Sequence, residues 1–242
     1  MITCRIRHGA WIMTGLLLLA ACATSAPSTP STSPSPSVST SASATLTPTP
    51  TASTPATLGQ PAVWPGADTT FATPAAAATD FVEKAVGVPA LLGEFMHGDA
   101  RSGEITLYFS GNGTTKAQRS LLLMRQLGAS SGWYVLAAVN DNQRITSPVQ
   151  GGTVPAGKVQ VTGVGRGFEA TIVVMAIRPG DPTPLDKQIG MGGSMETPGP
   201  YTVTLDLSAA TPGEVIAIVA RGGVGHELDP GELGAIAVTI SG

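Results

Sequence analysis

The sequence predicts a mainly β protein: a C-terminal β-sandwich preceded by a small α+β segment, one helix on an antiparallel sheet. Three observations carry this. Short runs rich in Val, Ile and Thr recur between turn residues, as at Tyr201, Val203, Leu205 and Leu207, which alternate with polar neighbours. Charged residues make up only 12% of the chain while Gly numbers 30 and Pro 20, a composition suited to short strands and tight turns. Convincing helical spacing of apolar residues occurs in one stretch, between Thr73 and Gly87.

The chain opens with Arg5 and Arg7, an apolar run from Trp11, and Leu19-Ala20-Ala21-Cys22. A charged start, a short apolar stretch and small residues before a cut site make a secretory signal peptide over residues 1–21. The run is too short for a permanent span, which needs about 20 apolar residues. The small pair followed by cysteine closely resembles the bacterial lipobox. That resemblance implies cleavage between Ala21 and Cys22 and a lipid thioether on Cys22. The expected location is the extracytoplasmic face of the cell membrane, with membrane lipid as the first partner. Acyl chains contribute about 0.8 kcal/mol per buried methylene, so several would hold the protein firmly. The other cysteine, Cys4, leaves with the signal, so no disulfide, CxxC metal knuckle or cysteine nucleophile is expected in the mature chain.

Residues 22–57 are almost wholly Ser, Thr, Pro and Ala. They lack the apolar periodicity to offset ordering entropy, and their prolines favour extended backbone. A disordered, semi-rigid stalk is expected. Removing Arg5 and Arg7 from the 13 basic residues leaves 11 against 16 acidic, a net −5 for the mature chain. That is no electrostatic footprint for nucleic acid.

The first folded segment is placed at 71–141. Thr73 reads as a helix N-cap with Pro74 first in the helix; Phe81, Val82, Ala85 and Val86 form one face. Gly87 suits the left-handed position after the helix and Pro89 the stop. Strands are expected at 104–109, 119–127 and 133–139, with Gly111-Asn112-Gly113 as a turn. The second segment, 142–242, has no helical signal. Strands are expected at 158–162, 168–177, 201–207, 214–220 and 235–240, about the number and spacing of an immunoglobulin-sized sandwich.

The second segment carries a further pattern: Ile145-x-x-Pro148, Val159-x-Val161-x-Gly163, then Phe168-Glu169-Ala170-x-Ile172-x-Val174, and a last strand after Gly231 and Gly234. It resembles the immunoglobulin-like domain first described in bacterial spore-germination proteins and widespread in bacterial lipoproteins. The first segment, around 98–104, 123–128 and 133–136, is similar to that domain's common companion. The resemblance implies an immunoglobulin-like sandwich and establishes no spore role. Bottom-up, Gly163, Gly165 and Gly167 provide a tight connection between strands, and Glu169 is placed to pair with Arg166 or cap a loop amide.

Three patterns imitate active sites. Gly128-Ala129-Ser130-Ser131-Gly132 has the letters of a nucleophile elbow with His226 downstream, but a strand follows where the elbow needs a helix. A hairpin turn is expected. The alternating glycines at 163–167 lack the dinucleotide spacing and a following helix. Asp99 near His97, and Asp229 with Glu232, offer oxygen ligands for a loose calcium site, though solvated loop carboxylates fit them better. No catalytic residue, metal site or cofactor is therefore expected. The reading that follows is a non-enzymatic envelope lipoprotein binding a protein or cell-wall partner. The candidate loops are 179–184 and 190–200, with Gly180, Asp181, Met191 and Met195. The alternative is a small-molecule binder or serine hydrolase using residues 71–141, with Phe95, Phe109, Trp133 and Tyr134 lining a pocket.

Overall fold

The computed structural model describes residues 58–111 and 115–242. The expected signal peptide, Cys22, the stalk and Asn112 and Gly113 of the expected Gly111–Gly113 turn lie outside the described residues. The described residues belong to one compact unit.

The helix forms where expected. Thr73 Oγ1 accepts a hydrogen bond from the Ala76 amide at 3.2 Å, and α1 runs Pro74–Asp80. Its continuation, Phe81–Val86, widens into a π-helical turn in which the Gly87 amide donates to the Val82 carbonyl at 3.0 Å. Gly87 ends it at φ 81°, where glycine carries no Cβ penalty.

Among the described residues twelve strands follow: β1 Leu91–Asp99, β2 Ser102–Ser110, β3 Lys116–Leu127, β4 Gly132–Val139, β5 Arg144–Ser147, β6 Thr153–Val154, β7 Lys158–Gly165, β8 Thr171–Ile177, β9 Pro184–Met191, β10 Gly199–Asp206, β11 Val215–Gly222 and β12 Leu233–Ile240. A long sheet has the order β1-β2-β3-β4-β12-β11-β8-β9, with β6 added beside β12. A second sheet, β10-β7-β5, completes the sandwich. The strand expected from Phe168 begins only at Thr171, because Glu169 and Ala170 adopt left-handed backbone at φ 53° and 55°.

Two cores share the long sheet. Ile216, Ile218 and Ala220 of β11, with Ile236, Val238 and Ile240 of β12, pack with Val161, Tyr201 and Leu205 in the sandwich core. Their neighbours Ala217, Val219, Leu233, Ala235 and Ala237 pack with Phe81, Val82 and Trp64 in the core under the helix. Successive strand residues point to opposite faces, so strands covered on both sides read as continuous apolar runs. The strands of the first segment and of the sandwich thus belong to one sheet. The join is narrow: β4 meets β12 through Ala138 and Ala235. Beside it, an N-terminal strap pairs Trp64 with Val135 and Phe71 with Trp133.

Candidate partner-binding surface

One end of the sandwich gathers three glycine-rich connections: β7 to β8, β9 to β10, and β11 to β12. They are lashed together by their backbones. The Gly167 amide donates to Gly193 O at 3.1 Å, Gly193 N to Gly165 O at 2.8 Å, Gly192 N to Ala170 O at 2.8 Å and Phe168 N to Gly223 O at 2.8 Å. Such close approach requires glycine. A Cβ on Gly193 would overlap the Thr197 carbonyl, and one on Gly222 the Arg166 carbonyl. The left-handed Glu169 and Ala170, each about 1–2 kcal/mol less favourable than right-handed backbone, are held by this lacing.

Two arginine pairs brace the same end. Arg119 of β3 grips Asp229 with Nε at 2.8 Å and Nη2 at 2.5 Å. Arg166 grips Glu232 at 2.7 Å twice, and Asn142 Nδ2 donates to the same carboxylate at 3.0 Å. Burial pushes the Glu232 carboxyl up, but its bonds from Arg166 and Asn142 outweigh this and hold it below the usual glutamate range. The Glu232 bond in turn keeps Arg166 more firmly protonated. Arg221 is the exception: burial lowers it, and its hydrogen bonds go to the carbonyls of Val86 at 3.1 Å and Asp229 at 3.3 Å. Arg166 therefore pairs with Glu232, so of the two roles expected for Glu169 the ion pair with Arg166 does not form. Asp229 and Glu232 are each held by arginine, an arrangement that serves bracing rather than cation binding.

Above this brace the loops expose large apolar side chains. Phe168, Met195 and Leu228 are each 52% exposed, and Met191 is 66% exposed. Met195 borders a small cleft of about 70 Å³ with Val224, Arg166 and Glu232. An exposed Phe, Met and Leu on rigid loops suit partner contact, since ordering them on binding requires little further entropy.

The candidate loop residues divide between the two ends of β8 and β9. Met191 pairs with Thr171 at this end, whereas Pro184 pairs with Ile177 at the other. Gly180, at φ 91°, and the exposed Asp181 lie beyond Pro184, more than about 20 Å along the strand from Met191. Gly180 packs on Gly66 of the strap.

The remaining candidates are dispersed. Ser130 lies in the turn after β3, with Ser131 N bonded to Gly128 O at 3.2 Å. His226 stacks near Phe109 at 5.2 Å, and Phe109 pairs with Ala117 at the opposite end of β3, about 30 Å away. Serine and histidine are not brought together. The four aromatics share no common pocket either. Trp133 and Phe95 pack edge to face at 5.1 Å in the helix-side core, Tyr134 packs with Ala62 and Leu127 on the opposite face, and Phe109 lies beside Arg119. Asp99 accepts a bond from the Arg101 amide at 2.7 Å. Gly163 and Gly165 are structural: Tyr201 lies against the first and Gln143 against the second. A groove of about 660 Å³ opens between β5 and the uncovered face of β3 and β4, floored by Leu121, Leu123, Ala137 and Val139. Sequence reasoning missed this groove and the exposure of Phe168 and Leu228. The available signal was a large apolar residue beside a glutamate within a glycine-rich loop.

Residues 143–221 match the family model of the immunoglobulin-like domain of bacterial spore germination. The match starts at Gln143, just before β5, and ends within β11, so it spans most of the sandwich and none of the helix-bearing segment. No curated protein and no solved structure matches the chain.

Proposed function

We propose that this is an envelope lipoprotein, tethered through Cys22 and the Ser/Thr/Pro stalk, that binds a protein partner through the loop end of its immunoglobulin-like sandwich and catalyses no reaction. The observation that carries it is the exposed apolar group Phe168, Met195 and Leu228, set on connections that their own backbone hydrogen bonds hold rigid. Sandwich domains commonly recognise partners through such end loops. The test is site-specific photo-crosslinking in intact cells. A photoreactive side chain at position 195 is expected to capture a defined envelope protein, while one at position 181 captures none. Equal capture at both positions, or none at 195, would remove the loop-end reading.

The anchor has its own test. Mass spectrometry of the mature N-terminal peptide is expected to show a diacylglyceryl thioether on Cys22. An unlipidated N-terminus at Ala23 or later would sink the tethered reading. Cys22→Ala is expected to leave the precursor uncleaved.

A further inference from the structure

We infer that the loop end takes a protein segment that is both cationic and apolar, a hydrophobic stretch flanked by Lys or Arg; this rests on the partner-binding reading above. Each of the three lashed loops presents the same pair of neighbours: Phe168 with Glu169, Met195 with Glu196, and Leu228 with Glu227. All six are exposed. Backbone bonds from Gly167 to Gly193 and from Phe168 to Gly223 hold the three pairs at one end of the molecule.

Their charges are not cancelled. Among the described residues none of the three glutamates has an ion-pair partner, whereas Asp229 and Glu232 just beneath are neutralised by Arg119 and Arg166. A cationic partner gains three attractive contacts here. An acidic one is repelled, and a neutral one removes water from the carboxylates without replacing its hydrogen bonds. Nucleic acid and anionic membrane surfaces are disfavoured by the same sign of charge. The apolar residues supply most of the contact energy, while the glutamates steer and select.

Full-length lipoprotein in neutral detergent, with a photoreactive side chain replacing Met195, allows a direct test. Three synthetic peptides serve as probes: Leu flanked by Lys, Leu flanked by Glu, and Ser flanked by Lys. Crosslink yield against peptide concentration reads the apparent affinity at contact with the site. The Lys–Leu peptide is expected to crosslink best. The variant E169Q/E196Q/E227Q should weaken it about tenfold in low salt and little in 500 mM salt. Phe168→Ala with Leu228→Ala should weaken it at both salts. These positions are exposed, so folding is checked by circular dichroism and is expected to persist. Equal yields for Lys- and Glu-flanked peptides, or no effect of the glutamine variant, overturn the charge assignment and leave the docking reading standing. An unchanged yield for the Phe168 and Leu228 variant, or for the Lys–Ser peptide, overturns apolar docking itself.

Discussion

Gln143 is fully buried, and its side-chain amide has no protein hydrogen-bond partner. Gly165 approaches its Oε1 so closely that a Cβ would not fit. A buried amide left unpaired costs about 1–3 kcal/mol. Gln143→Leu, similar in volume, should therefore raise stability by about 1–2 kcal/mol in urea denaturation. Glu232 behaves oppositely. Its folded pKa is depressed, so its stabilisation is fully present above the ordinary glutamate value of about 4.3 and fades as pH falls through the lower folded value. Glu232→Gln should cost about 2 kcal/mol at pH 7 and much less near pH 3, read as urea midpoints at the two pH values. Neither role was legible beforehand. Arg166 has Glu169 three residues away, but its actual partner lies 66 residues on, delivered by the β11–β12 connection.

At the scale of elements, the helix is readable because its signals are local: cap, proline and glycine all stand between Thr73 and Gly87. Thr73→Ala removes the cap and should destabilise by about 1 kcal/mol in thermal melts. Strand β8 was read three residues too long because Phe168 and Ala170 continue its apolar pattern. The left-handed backbone that interrupts it is imposed by contacts with Gly193 and Gly223. Strands β1 and β9, the two ends of the long sheet, were missed altogether. Edge strands are half uncovered and carry Gly, Pro and charge, as in the Pro184–Met191 run, so alternation fails there. Strands β11 and β12 show the reverse. Their unbroken apolar runs answer to two cores, and Ile218→Ala should cost about 2–5 kcal/mol by urea denaturation.

For the whole molecule, the decisive feature is the shared sheet. Ile177, Ala217, Val219, Leu233, Ala235 and Ala237 face the helix-side core. A fragment of residues 142–242 would expose that face and should aggregate in size-exclusion chromatography. A fragment of residues 52–242 should be monodisperse and unfold cooperatively. A fragment starting at 71 would lose Trp64, which is fully buried and donates from Nε1 to Asp80 at 2.8 Å. It should melt lower than the 52–242 fragment, by far more than the loss of an exposed terminus would explain. A soluble, folded 142–242 would show that the sandwich is independent of the first segment.

The mainly β class, the helix after Thr73 and the sandwich strands β7, β8, β10, β11 and β12 follow from the sequence alone, because period, turn chemistry and capping act within a few residues; the short β5 and β6 and the edge strand β9 do not. The family pattern at 145–174 was visible for the same reason. The tertiary structure alone decided which face each strand residue serves, which carboxylate each arginine takes, and which loops share an end. Those outcomes rest on contacts between residues such as Arg119 and Asp229, 110 positions apart, which no local pattern encodes. The candidate surface is of this kind. Phe168, Met195 and Leu228 are ordinary residues in three separate loops, and only the glycine-laced meeting of those loops makes them one site.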